Sequence, residues 1–95
     1  METMELPLEL RERYLIRREK DVVDCDVALV EKNSAVLERV GHQLKGNAAT
    51  YGYPELGAIG ADMENAAKNN NWAEMELQTE KFKQFILSLP KLPNR

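Results

Sequence analysis

Residues 34–68 read SAVLERVGHQLKGNAATYGYPELGAIGADMENAAK, and they contain the strongest indications of secondary structure in the chain. Gly52 can adopt the left-handed conformation that ends a helix, and Pro54 suits the first turn of the next helix, where no backbone N–H is required. The residues on either side are mostly good helix formers, and their apolar side chains recur at three- and four-residue spacing. The segment therefore predicts a helical hairpin, with helices over about residues 34–51 and 54–68.

The flanking sequence extends this hairpin into a bundle. Upstream, the pattern predicts a short helix around Leu8–Ile16 and a longer one over Arg18–Glu31, although the two could run together. Downstream, Asn71 with Glu74 three residues later resembles a capping box and opens a last helix that ends before Pro90. Amphipathic helices with short connections pack against one another. We therefore predict an all-α protein, an antiparallel up-down four-helix bundle with a short additional N-terminal helix.

Length and composition limit the chain to one small domain. It has 95 residues, of which 43% are hydrophobic and 31% are charged, enough to build a single core from residues 1–95. No apolar run approaches the roughly 20 residues that cross a membrane. The acidic N-terminus lacks the basic and apolar stretches of a secretory signal. We expect no membrane association and a cytoplasmic location.

The charged residues and the metal-ligating residues also exclude several classes of function. The net charge is −3 and the basic residues are scattered among acids, so nucleic acid is not an expected partner. Cys25 is the only cysteine and His42 the only histidine, which leaves no set of ligands with zinc spacing. The sequence has no acidic cluster suited to Mg²⁺ and no glycine-rich phosphate loop. We expect no metal, no cofactor, and a core position for Cys25.

His42 is predicted to face solvent. The expected buried stripe of its helix consists of Leu37, Val40, Gly41, Leu44, Ala48 and Tyr51. At about 100° per residue, His42 projects about 140° away from Leu37. Its neighbours on that outer face are Ala35, Gly46 and Ala49, and a glycine inside a helix costs about 1 kcal/mol relative to alanine. The pattern indicates an imidazole that another protein can approach closely, and a histidine satisfied within the core is the alternative.

The segment His42–Gly52 resembles the signature of histidine phosphotransfer domains, in which His-x-Leu-Lys-Gly is followed by small residues and a glycine. The resemblance continues through Tyr53–Leu56 and Met63–Ala67, and it departs at Gly41, where the family more often has alanine. It implies a phosphocarrier, not an enzyme, in a two-component phosphorelay. His42 would accept a phosphoryl group from an aspartate of one response-regulator receiver domain and pass it to another. A hybrid histidine kinase is a further implied partner, and we expect a free-standing monomer.

The resemblance also implies roles for three residues around the histidine. Lys45 and Gly46 would flank the phosphohistidine, and the receiver domain would supply Mg²⁺ and the rest of the active site. Glu64 stands where the family commonly has an acidic or amide residue that hydrogen-bonds the inner imidazole nitrogen. At about 80° from Leu56, it lies at the margin of the apolar stripe, from which it can reach the neighbouring helix. Solvated side chains at Lys45 and Glu64 are the alternatives.

Two other functions remain open on the sequence alone. The chain could be an adaptor that binds receiver or kinase domains without carrying a phosphoryl group, or a structural bundle that dimerises through the His42 face. A further apolar stripe near the N-terminus consists of Ile16, Val23, Val27 and Val30. We predict that this stripe is buried on a second side of the bundle, with an exposed patch for a receiver or a second copy as the alternative.

Overall fold

The computed structural model describes residues 7–89, which form four α-helices and no strand. The helices are α1 (Leu8–Glu31), α2 (Ser34–Asn47), α3 (Pro54–Lys68) and α4 (Trp72–Ser88). α1 packs against α2 and α4, and α3 also packs against α2 and α4, so the four helices surround one hydrophobic core. The predicted all-helical class is confirmed. Within this part of the chain, no helix combines the length and the apolar character that crossing a membrane requires.

α1 is one continuous helix, so the prediction of a separate short helix around Leu8–Ile16 is wrong. No glycine or proline interrupts the 24 residues of α1. Tyr14 and Arg18, one turn apart, are buried on the same face, so packing against the bundle continues across the expected boundary. The helix ends at Lys32, which has a φ of 59°. The N–H of Asn33 then donates to the carbonyl of Ala28 at 2.8 Å and closes the last turn.

α2 ends earlier than the predicted Tyr51. The helix stops at Asn47, and the chain then tightens into a turn in which the N–H groups of Tyr51 and Tyr53 both donate to the carbonyl of Ala48, at 3.1 and 2.9 Å. Gly52 has a φ of 95°, the left-handed conformation expected from the sequence. The connection between α2 and α3 is therefore about four residues, or one helical turn, longer than the hydrophobic pattern predicts.

The apolar stripe predicted around Leu37 and Leu44 lies in the core, except that Tyr51 is only partly buried, and α3 and α4 pack their own apolar residues beside it. The side chains that are fully or almost fully buried there include Leu37, Val40, Leu44, Leu56, Met63, Met75 and Phe82. Cys25 is also fully buried, which confirms its expected core position. At the start of α4, Asn71 accepts a hydrogen bond from the N–H of Glu74 at 3.2 Å, so the predicted N-cap is present.

The predicted burial of the second stripe on α1 is wrong. Its side chains are exposed by 45% at Ile16, 58% at Val23, 47% at Val27 and 83% at Val30. α1 contributes a single face to the core, and its buried residues are Tyr14, Arg18, Val22, Cys25 and Ala28. Because α2 and α4 both pack on that face, no other helix of residues 7–89 is left to cover the opposite one.

Candidate functional site

Two glycines bring α2 and α3 into close contact beside the histidine. A Cβ atom on Gly41 would lie 2.6 Å from the backbone nitrogen of Glu64 and 2.7 Å from the carbonyl oxygen of Gly60. A Cβ atom on Gly60 would lie 2.5 Å from the Cβ of Leu44 and 2.7 Å from the carbonyl oxygen of Gly41. Larger residues at either position would hold the two backbones apart. The close approach places Glu64 of α3 directly across from His42 of α2.

The imidazole of His42 is exposed to solvent and anchored on one side. Its side chain is 68% exposed, and its Nδ1 lies 2.9 Å from Oε2 of Glu64. An ionised carboxylate can only accept hydrogen bonds, so Nδ1 must carry the proton of the neutral ring. Nε2, on the other edge of the ring, then holds an available lone pair and has no hydrogen-bond partner among residues 7–89. The expected outward orientation of His42 is confirmed, and the core-histidine alternative is wrong.

Glu64 is the buried anion of this cluster. Its side chain is only 7% exposed, and Nζ of Lys45 lies 2.8 Å from Oε1 while Nζ of Lys68 lies 3.5 Å from Oε2. The pKa of Glu64 falls from its ordinary 4.5 to about 2, mainly because of the hydrogen bond from Lys45. Burial raises this pKa, whereas the bond to His42 and the charges of Lys45 and Lys68 lower it further. The carboxylate is therefore ionised at neutral pH, and the solvated-glutamate alternative is wrong.

The surface around His42 is open and lined by small residues. Ala35, Gly46 and Ala49 are all exposed, and a Cβ on Gly46 would have no atom within 4 Å. Nothing in the packing of residues 7–89 therefore requires a glycine at position 46. An open cavity of about 390 Å³ beside the imidazole is lined by Ala35, Glu38, Arg39, His42 and Glu64. A partner can approach the ring without displacing a bulky side chain.

The structure brings three of the four predicted site residues into one contact network. His42, Lys45 and Glu64 are joined by the bonds described above, whereas Gly46 shares only the exposed face. Lys45 contacts Glu64 and not the imidazole, which the i, i+3 spacing alone did not indicate. The sequence reasoning also missed Lys68, although its position four residues after Glu64 on the same helix was a usable signal.

Two other kinds of site, a metal centre and a reactive thiol, were compared with residues 7–89. Residues 7–89 contain no group of three or more His, Cys, Asp or Glu side chains that could hold a metal ion. The thiol of Cys25 is fully buried, and burial is the main reason that its pKa rises to about 12. A thiol with that pKa carries almost no thiolate at neutral pH and is a poor nucleophile. His42, by contrast, is exposed and hydrogen-bonded to an ordered carboxylate.

These features define a class of protein: a small helical bundle that presents one imidazole, oriented through Nδ1 by a buried carboxylate. The family model of the Hpt domain matches residues 9–91, which is most of the chain. The protein belongs to the Hpt domain family, whose members are phosphocarriers, not enzymes, and act in histidine phosphotransfer with receiver domains and kinases of two-component systems. Comparisons with curated proteins and with solved structures gave no match.

Proposed function

We propose that this protein relays a phosphoryl group through Nε2 of His42 between the aspartates of response-regulator receiver domains. The observation that carries the proposal is the pairing of a 68% exposed imidazole with a buried carboxylate 2.9 Å from its Nδ1. Phosphoryl transfer needs an in-line nucleophile with little covalent help from the protein, so presenting an oriented lone pair on an open surface is the main requirement. A hybrid histidine kinase is proposed as a further partner.

The transfer step balances without any proton leaving the ring. Nε2 of neutral His42 attacks the phosphorus of an aspartyl phosphate on the receiver, the N–P bond forms, and the P–O bond to the aspartate breaks, which releases a carboxylate. The imidazole becomes a phosphorylated imidazolium that keeps its Nδ1 proton. Glu64 stabilises this positive charge through the bond that it already makes, much as a carboxylate supports the histidine of a catalytic triad. The reverse step delivers the group to a second receiver.

We propose that Lys45 and Gly46 serve the phosphorylated state. Lys45 is 49% exposed, so its ammonium can move from Glu64 to the phosphoryl oxygens once these are attached to the ring. Gly46 leaves room one turn along the helix for the receiver to approach. One lysine does not balance the charge of the transferring group, and we propose that the receiver supplies Mg²⁺ and the remaining charge stabilisation.

The finer features of the architecture belong to the same proposal. We propose an antiparallel up-down order of the four helices, which is supported by the short connections Lys32–Asn33 and Asn69–Asn71. We also propose that residues 1–95 form a single domain, because the helices of residues 7–89 share one core. A cytoplasmic location is proposed on the basis of the relay function.

Phosphorylation by a phosphorylated receiver domain tests the proposal. Incubation should give a phosphoprotein that is labile in acid and stable in base, and His42→Gln should abolish the label while the helical circular dichroism is unchanged. Gln43→Ala is the matched control, since Gln43 is the exposed neighbour of His42 on the same helix and should leave labelling intact. Labelling that persists in His42→Gln would show that the phosphoryl group is carried elsewhere.

A further inference from the structure

The exposed stripe on α1 has the spacing of a helix that packs against another helix. Ile16, Val23, Val27 and Val30 follow one another at intervals of seven, four and three residues, and Lys20 fills the remaining position of this repeat. Apolar residues repeating every 3.5 positions on average are typical of a seam between two helices. At about 100° per residue the stripe lies roughly opposite Tyr14, so it points directly away from the core. Four β-branched side chains there are between 45% and 83% exposed.

The charges along α1 are divided between its two halves. On its exposed surface the first half is basic on balance, with Arg13, Arg17 and Lys20 against Glu9 and Glu19. The second half has no basic residue and carries Asp24, Asp26 and Glu31, while Asp21 is mostly buried and paired with Arg18 at 2.8 Å. A second copy of this helix running in the opposite direction would set each basic half against an acidic half. A copy running in the same direction would set like charges together.

We propose that the outer face of α1 packs antiparallel against the same face of a second copy of this chain. With the two copies centred near Val22, Arg13 of each would face Glu31 of the other. Lys20 and Asp24, which pair at 3.2 Å within each copy, would lie opposite Asp24 and Lys20 of the other. These four residues lie along the edge of the stripe that is turned toward α2. The edge turned toward α4 carries Glu19 and Asp26, of which Asp26 is already paired with Lys83 at 3.1 Å.

This dimer differs from the monomer expected from the sequence and from a dimer that buries His42. The residues of the stripe do not line the cavity beside the imidazole, which is formed by α2 and Glu64 of α3. His42 therefore stays exposed in both copies, and each copy can still meet a receiver. The proposal does not depend on the phosphotransfer function, so His42→Gln should leave the association unchanged.

Sedimentation equilibrium of the full chain from micromolar to millimolar concentration tests the association. We expect a concentration-dependent shift from monomer to dimer, and Val27→Glu should weaken the association constant by roughly tenfold or more, because a carboxylate would then be buried in the seam. Leu77→Glu is the matched control, since Leu77 on α4 is 48% exposed and Val27 is 47% exposed. A chain that stays monomeric at millimolar concentration, or equal effects of the two variants, would overturn the proposal.

The orientation is tested by exchanging charges at the two ends of the stripe. Arg13→Glu should weaken the dimer several-fold, because the twofold symmetry removes two ion pairs at once. Adding Glu31→Arg should restore it, since the carboxylate introduced at position 13 of each copy would then face the guanidinium introduced at position 31 of the other. In a parallel dimer the two positions would lie about 27 Å apart along the helix axis and could not compensate. Failure of the second substitution to restore the association would overturn the antiparallel arrangement.

Discussion

Replacing Gly41 by alanine should destabilise the fold, although alanine is the better helix former. The gain in helix propensity is about 1 kcal/mol. Against it, the new methyl group would meet the backbone nitrogen of Glu64 at 2.6 Å and the carbonyl oxygen of Gly60 at 2.7 Å, and backbone atoms cannot rotate away as a side chain can. Overpacking of this kind costs about 1–3 kcal/mol or more. We expect a net loss of up to about 2 kcal/mol in the free energy of unfolding.

Gly46→Ala is the matched control on the same helix. Its Cβ would have no atom within 4 Å, so only the propensity gain of about 0.5–1 kcal/mol remains. Both variants gain helix propensity, so they should differ in unfolding free energy by the overpacking cost of about 1–3 kcal/mol, which urea denaturation can measure. In a domain of this size each kcal/mol corresponds to about 4–8 °C in Tm. A Gly41→Ala protein as stable as Gly46→Ala would refute the argument that α2 and α3 touch through their backbones at this point.

Three further predictions concern the side chains of the site and the core. The pKa of Glu64 is lowered to about 2, so its contribution to stability should be complete above about pH 4.5 and lost as the pH falls toward 2. Glu64→Gln should remove this part of the acid dependence. Urea titrations at successive pH values measure the effect. Lys45→Ala removes the main cause of that lowered pKa, so the carboxyl carbon of Glu64 should titrate closer to pH 4.5 in ¹³C NMR, whereas Lys45→Arg should keep it low. The thiol of Cys25, with a pKa of about 12, should not react with a disulfide reagent at pH 8 until the protein is unfolded; rapid reaction of the native chain would contradict its burial.

The sequence predicted the helices where the local signals are strong. Gly52 and Pro54 mark the turn between α2 and α3. In the structure Gly52 has a positive φ, and α3 begins at Pro54. The outward position of His42 followed from helix geometry alone, because an angle of about 140° from Leu37 leaves little ambiguity about the face. These features depend on residues close together in the chain.

Other features depend on how the helices meet and could not be obtained in the same way. The clash that a side chain at Gly41 would cause exists only because Gly60 and Glu64 of α3 pass so close to it. Val23 and Val30 are exposed because α2 and α4 both pack on the other face of α1. An apolar stripe in the sequence does not indicate which face of a helix its neighbours will cover. The i, i+3 spacing placed Lys45 on the helix surface near His42, but its contact with Glu64 is set by the spacing of two helices.

The proposed relay through Nε2 of His42 is best tested by the position of the phosphoryl group on the imidazole. After phosphorylation by a phosphorylated receiver domain, ³¹P and ¹⁵N NMR of the chain should show one phosphohistidine, at His42, with phosphorus bonded to Nε2 and the proton retained on Nδ1. Phosphorus on Nδ1 would contradict the orienting role of Glu64, and an unmodified His42 in a phosphorylated chain would contradict the relay itself.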